Sequence, residues 1–362
     1  MSTSKQKSQK SVLFMVPSPR GISPGQRFRF EHFLPLLERE GIKYKISPFL
    51  SIRGRKSLYS EGHFFRKILA MAGGFKRRVA DLFTLSKYDY VYIHRWATTA
   101  GPPVFEWMII KLFRKKVIYD FDDAIWVKAS AYNKKFLAVK FLGKINKICK
   151  WAYVVTVGNK FLMEFAEKHN KNVVLFPTVV NTDTVHGNVQ YQDTPYPSVG
   201  WTGSFSTLVY LNQVVPVLQK LQEKINFTFF VIADKDPRLP LKNYKFIPWN
   251  KETETEDLLH FHIGLMPLTD DELTKGKCGF KAIQYMALGI PALVSPVGVN
   301  TEIVDDGING YVCHSEKEWE DRIMLLLKDN ALRTQLGVVA RKKIVEQYSV
   351  KSAEKLFLDI FQ

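Results

Sequence analysis

Two lysines, Lys277 and Lys281, stand among glycines in the stretch KGKCGFKAIQYMALGIPALVSPVGVNTEIV, residues 275–304. Ammonium groups beside a Gly-containing loop neutralise an anion. The backbone N–H groups of such a loop, and of the helix it opens, suit a diphosphate. The stretch reads as an apolar helix over 282–288 stopped at Gly289, then a buried strand over 290–295. A loop, 296–300, and a new helix start at Thr301-Glu302 follow. Gly298, Val299, Asn300 and Glu302 therefore stand where a strand hands over to a helix. Gly203 and Ser204 occupy a second tight loop of this kind, with N–H groups able to face an anion. A different chemistry gathers earlier in the chain. His94 ends one apolar run, and Asp120, Asp122 and Asp123 end the next. An imidazole and carboxylates are the groups that orient a hydroxyl or steady positive charge.

These side chains need strands and helices to position them. Apolar, β-branched runs predict strands over 12–16, 42–49, 88–94, 115–119, 152–157 and 173–176. Helices are expected over 27–40, 104–113 and 133–150, and from 160. A stretch rich in Asn, Asp, Gln, Thr and Pro, 181–197, reads as a linker. The pattern then restarts with strands over 198–201, 227–233, 244–249, 263–268, 290–295 and 310–313. Helices are expected over 208–222, 282–288, 315–329 and, in the last part, 331–361. Strands alternating with helices imply α/β architecture with parallel, doubly wound sheets. In such sheets ligands sit at the C-terminal ends of the strands, where His94 and Asp122 fall. The first loop, PSPRGISPGQ, offers Gly21 or Gly25 for close backbone approach to a ligand. Arg27 and Arg29 lie two apart and do not share a helix face, so at least one is structural.

Composition narrows the classes. The chain has 362 residues, 46% of them apolar, which fits two domains with ordinary cores. Three distant cysteines exclude a disulfide framework, and no Cys/His spacing predicts a metal site. No run reaches the roughly 20 apolar residues of a membrane span. The net charge of +17 implies an anionic partner. Much of it falls within 52–79, where Arg53, Arg55, Lys56, Arg66, Lys67, Lys76, Arg77 and Arg78 interleave with apolar residues. Phe65, Ile68, Leu69 and Ala72 follow helical spacing, as in an interfacial helix or a helix packing on its own core. An anionic membrane surface is the expected partner. No nucleic-acid motif is present, so nucleic acid is not expected. The protein is expected in the cytoplasm, peripheral on the inner face of the cell membrane.

The run GKCGFKAIQYMALGIPAL resembles the E-x-F-G-x-x-x-x-E-A-M-A-x-G-x-P-V motif of retaining GT-B glycosyltransferases, the group 1 or family 4-like enzymes of bacterial surface polysaccharides. SPGQRFRFEHFLPLLEREGI resembles the S-x-R-x-R start of many members. The resemblance implies two Rossmann-like domains facing a cleft. These are an acceptor-side domain over 1–190 and a nucleotide-sugar domain over 191–344, with a terminal helix, 345–362, crossing back to the first. It implies a sugar moved from a nucleotide diphosphate, a UDP- or GDP-sugar, to a hydroxyl on a lipid-linked or surface-polysaccharide acceptor, with no cofactor or metal required. Gly203, Ser204, Lys277, Lys281, Gln284, Gly298, Val299, Asn300 and Glu302 become donor-binding residues, and Gly21, Gly25 and Arg27 line the acceptor-side loop. Asp122, His94, Lys277 and Lys281 become the candidates for catalysis, Asp122 taking roughly the place of a histidine in many relatives. Three letters depart from the pattern. Ser204 stands at an Arg-like place with no lysine after it, Gly276 replaces the first Glu of the E-x7-E pair, and Gln284 replaces the second. Asp270, Asp271 or Glu272 are stand-ins for the first. The departures keep open a catalytically weakened homologue that only binds nucleotide sugar or a partner.

Overall fold

The computed structural model describes residues 10–59, 62, 64–127, 141–190 and 192–362. The apolar runs become two six-stranded sheets in which the named strands pair in parallel. The first contains β1 (Ser11–Val16), β2 (Lys43–Pro48), β3 (Tyr90–His94), β4 (Lys116–Phe121), β5 (Val154–Val157) and β6 (Val173–Leu175). Their order is β2-β1-β3-β4-β5-β6. The second contains β7 (Val199–Thr202), β8 (Phe229–Ala233), β9 (Tyr244–Pro248), β10 (Ile263–Met266), β11 (Ala292–Val294) and β12 (Gly310–Val312). Their order is β12-β11-β10-β7-β8-β9. Central strands such as β3 and β7 are buried at every position, as parallel strands covered on both faces must be.

Each sheet reverses its winding once, between β1 and β3 in the first and between β7 and β10 in the second. Loops leaving the strands on either side of a reversal diverge to opposite faces and leave a crevice. Residues 17–25 and His94 flank the first reversal. Gly203-Ser204 and the chain leading to Lys277 flank the second.

The chain forms two compact units. One runs to Pro177 and includes Glu354–Gln362, and the other is Thr178–Ala353. The resemblance implies a boundary at 190, and the polar stretch 181–197 read as a linker is tied into the second unit. Gln190 Nε2 donates to Phe261 O (2.9 Å), Gln192 Nε2 donates to Gly289 O (3.1 Å), and Arg333 Nη2 donates to Gln192 O (3.0 Å). The last helix, Val350–Asp359, delivers Phe357 into the first unit, stacked on Phe33 with ring centres 4.4 Å apart.

Several helices are shorter than expected, with proline as one reason. The segment expected to be helical over 27–40 is a turn of helix at Pro24–Arg27, a 3₁₀ turn at Glu31–Phe33 and a helix at Leu34–Arg39. Pro35 stands in the first turn of that helix and has no N–H for a longer one. Pro216 divides 208–222 in the same way, into Leu208–Leu211 and Val215–Lys224. Of the helix expected over 133–150, Lys144–Trp151 is observed and its beginning lies outside the described residues. Among the described residues no helix is long and apolar enough to cross a membrane.

Candidate functional site

In the first unit the parallel register sets three side chains in a row. His94 on β3 is opposite Asp120 on β4, which is opposite Thr156 on β5. The Asp120 carboxylate lies 2.8 Å from His94 Nδ1 and accepts from Thr156 Oγ1 at 2.8 Å. Arg29 completes the cluster through Nε (3.2 Å) and Nη2, and its Nη1 donates to Phe176 O. Burial opposes ionisation of Asp120, but the Arg29 guanidinium and His94 outweigh it and hold the carboxyl well below its ordinary range. An ionised carboxylate cannot donate, so His94 Nδ1 carries the proton in this contact. The ring is thereby fixed with Nε2 turned toward Gly25.

Asp122 lies two residues on. Arg95 Nε and Nη2 both donate to its Oδ1, at 2.9 and 2.7 Å. Burial again opposes ionisation and Arg95 again outweighs it, so Asp122 is kept below its ordinary range. Arg95 has φ +62°, a left-handed conformation that disfavours a side chain by roughly 1–2 kcal/mol. The Asp120 carbonyl, accepting from Arg95 N (2.7 Å), and the Tyr119 hydroxyl, donating to Arg95 O (2.8 Å), hold it there. Gly25 closes this group. A Cβ there would stand 2.9 Å from Asp122 Oδ2, 3.3 Å from Arg95 Nη2 and 3.6 Å from His94 Nε2. The fold thus brings Gly25, His94 and Asp122 together. Gly21 and Arg27 play other parts: Gly21 N donates to Glu31 Oε2 (2.7 Å), and the buried Arg27 guanidinium lies over the Phe28 ring.

In the second unit the helix Phe280–Ala287 opens at Gly279, just beyond Lys277. Its Tyr285 hydroxyl accepts from Thr202 N (3.0 Å), locking the helix to the end of β7. Lys281 Nζ consequently lies 5.5 Å from the Trp201 ring centre, and Lys277 Nζ lies 5.8 Å from that of Tyr210. Trp201 and Tyr210 bracket the Gly203-Ser204 loop, so both lysines border it. The loop is held by Gly203 N donating to Ile232 O (3.0 Å) and by Phe205 N donating to Asp234 Oδ1. Burial and the neighbouring Lys277 push the Lys281 ammonium down to about 7. Lys277 thus disfavours the charged form of Lys281, and a bound anion would favour it.

The loop 296–300 packs against the same helix start. A Cβ at Gly298, where φ is +56°, would stand 2.9 Å from Lys275 O, and Val299 Cγ1 lies 3.2 Å from where a Cβ of Gly279 would be. Asn300 turns its amide inward, donating to Ser295 O (3.1 Å). The Glu302 carbonyl accepts from Lys343 Nζ (2.8 Å). Gln284 Nε2 donates to Glu254 Oε1 (2.8 Å) in a buried pair. Of the acids read as stand-ins for a missing Glu, Asp271 caps the helix Glu272–Lys275 and Asp270 pairs with Lys275 (3.0 Å).

Residues 199–343 match the model of the glycosyl transferases group 1 family. Over 94 residues the chain is 29% identical to N-acetyl-alpha-D-glucosaminyl L-malate synthase of Bacillus anthracis, which covers 24% of this chain and 25% of that one. The alignments with curated relatives span about a quarter of those proteins' lengths or less. Sucrose-phosphate synthase from Thermosynechococcus elongatus superposes with a TM-score of 0.69 at 13% identity, covering 98% of both chains. HepE from Anabaena, solved in complex with UDP, superposes with a TM-score of 0.61 at 14% identity, covering 97% of this chain and 99% of that one.

The chain has the GT-B fold.

Within this GT-B chain, Arg95, Thr156 and Glu254 had no part in the sequence reading, while Arg29, expected there as a candidate structural residue, is one. Arg95 adjoins His94 in the sequence, and that adjacency is the one signal that might have pointed to it. Arg29, Thr156 and Glu254 reach their partners through sheet register and helix packing, which no local spacing displays. The Asp120 carboxylate is engaged by Arg29, His94 and Thr156.

Proposed function

We propose that this GT-B chain moves a sugar from a UDP- or GDP-sugar to a hydroxyl of a lipid-linked or surface-polysaccharide acceptor, with retention at the anomeric carbon. The observation that carries this reading is the pair Lys277 and Lys281 bordering the Gly203-Ser204 loop. These ammonium groups take over from the Arg and Lys that the loop itself lacks. The leaving diphosphate gathers charge as its bond to the sugar breaks, and preorganised cations lower that barrier most. N–H groups of the Gly203-Ser204 loop and of the 296–300 segment add fixed dipoles.

On the acceptor side, His94 Nε2 and Asp122 orient the incoming hydroxyl, with Asp122 steadying positive character at the anomeric carbon. The bond from that carbon to the diphosphate oxygen breaks while the acceptor oxygen bonds on the same face. The acceptor proton passes to the departing diphosphate, so no covalent enzyme intermediate forms. Gln284 meets the ribose. The basic segment 52–79 and the net charge of +17 support an acceptor at the anionic inner face of the membrane.

The test is thermal shift against UDP-, GDP-, ADP- and dTDP-sugars and free nucleotides, followed by transfer assays with the responding donor. One base class raising stability by about 2.7 kcal/mol at a hundredfold excess over Kd is expected, and Lys281→Met should shrink that shift without abolishing it. Failure of every nucleotide to stabilise the protein would sink the donor reading and favour a scaffold that binds a partner instead.

A further inference from the structure

The helix Phe64–Leu82 is built inside out. Its charged pair faces the core: Arg78 is fully buried, donating to Asp81 Oδ2 (3.0 Å), Ala97 O (2.6 Å) and Val16 O (3.1 Å). Asp81, also buried, accepts from Ser47 Oγ as well (2.6 Å). Leu82 is buried and Phe75 packs edge-on against Phe49, but a second set of apolar side chains faces outward. Phe65, Leu69, Ala72, Lys76, Val79 and Phe83 recur at spacings of four, three, four, three and four, which is a single stripe along a helix. Phe65 is 80% exposed, Leu69 70% and Phe83 83%. The stripe extends roughly 27 Å at 1.5 Å per residue. Burying the charges and exposing the phenylalanines inverts what packing in water favours.

The rim of the stripe is positive. Arg53, Lys56, Arg66 and Lys76 are exposed, and the only acid in the two helices Ile52–Tyr59 and Phe64–Leu82 is the buried Asp81. The helices lie against each other, since a Cβ at Gly54 would stand 3.2 Å from Ala70 Cβ. The shorter one adds Ile52, 68% exposed.

We infer that the stripe Phe65-Leu69-Val79-Phe83 lies in the plane of an anionic lipid bilayer and inserts its side chains between the headgroups, with the surrounding Lys and Arg on the phosphates. Aromatic and aliphatic insertion needs an apolar face, and headgroup contact needs flanking cations without exposed acids. Both conditions meet among the described residues of this surface. The inference rests on the membrane-side part of the function proposed above and not on the donor site.

The full-length protein is floated with vesicles of phosphatidylcholine alone and of phosphatidylcholine mixed with phosphatidylglycerol, without nucleotide. Partitioning onto the anionic vesicles should exceed that onto neutral ones at least tenfold. The combined Phe65→Ser, Leu69→Ser, Phe83→Ser variant should lose roughly tenfold or more, with an unchanged thermal midpoint. Arg66→Glu with Lys76→Glu should weaken anionic binding alone. Equal binding of the serine variant and the parent would overturn the inference, as would equal binding to neutral vesicles or no binding to either. A dimer in lipid-free solution that the serine variant abolishes, without vesicle binding, would assign the stripe to a protein interface instead. Thermal shift by UDP-sugars in the serine variant separates this result from failure of the donor reading, since that shift should persist.

Discussion

Gln284 Nε2 donates a 2.8 Å hydrogen bond to Glu254 Oε1, and both side chains are buried. Gln284 is the position where relatives resembling this chain place a Glu. A second carboxylate could not sit comfortably there, because Glu254 already fills the opposite place. Glutamine converts the contact into a donor–acceptor pair, and the Gln284 carbonyl oxygen remains an acceptor for a ribose hydroxyl.

Restoring the motif should therefore do harm. In Gln284→Glu two carboxyl groups share one buried site, and the folded state raises their apparent pKa above the unfolded value near 4.3. A raised carboxyl pKa leaves stability intact at low pH and removes it as pH climbs through the folded value. Urea unfolding should show near-parent stability at pH 4.5 and a deficit of about 3 kcal/mol by pH 7. A deficit independent of pH would contradict the Glu254 contact.

Lys281 gives a second pH signature. Its ammonium is pushed down to about 7 from 10.5 by burial and by Lys277. A depressed lysine penalises the folded state wherever the unfolded chain stays charged. That penalty is relieved above 10.5 and fully present below about 7, so its removal in Lys281→Met should flatten a rise of stability between those limits. Nucleotide binding restores the proton. UDP affinity should fall by up to about tenfold per pH unit above 7 in the parent and stay nearly level in Lys281→Met. Calorimetric titration at pH 6.5, 7.5 and 8.5 reads both slopes.

Gly25→Ala places a methyl group against Asp122, Arg95 and His94 at once. The backbone of Gly25 tolerates alanine, so the effect falls on the side chains it displaces. Transfer should slow by roughly ten- to hundredfold for a misplacement approaching 1 Å, while nucleotide binding is unchanged. Parent-like rates would mean that the three residues do not act as one group.

Asp120→Asn keeps the shape of the cluster and removes its charge. Arg29 then loses the Asp120 charge, and the fold should lose about 3–5 kcal/mol. Asp120 is depressed in the folded state, so its contribution is present above the unfolded value near 3.9 and is lost as pH falls. Acid unfolding should therefore differ between parent and variant at neutral pH and converge toward pH 2, measured by tryptophan fluorescence.

The central strands among the described residues were visible as apolar runs, because a parallel strand covered on both faces needs little else, whereas the edge strands β2 and β9 include exposed positions. The lysines at 277 and 281 were visible because a Gly-rich setting makes a cation unusual. The breaks at Pro35 and Pro216 were also in the letters, though amphipathic spacing on either side concealed them. The Arg29–Asp120 and Gln284–Glu254 pairs were not legible. They join residues far apart in sequence, and only register and helix packing bring them within reach. Nor did helical spacing reveal which face of 64–82 is buried, since Arg78 and Asp81 override the usual rule by satisfying each other.

Phe357 stacks on Phe33, Phe361 meets Tyr90 edge-on, and Lys10 Nζ donates to Phe361 O (2.6 Å). These contacts join residues more than 250 positions apart in the sequence within one unit. A ribosome releases β1 to β6 before residues 354–362 have been translated. The second unit, contiguous from Thr178 to Ala353, meets no such delay. The half begun first is completed last, and until then it must wait with Phe33 and Tyr90 uncovered. Nascent chains in that state are natural clients for a chaperone that shields aromatic surface.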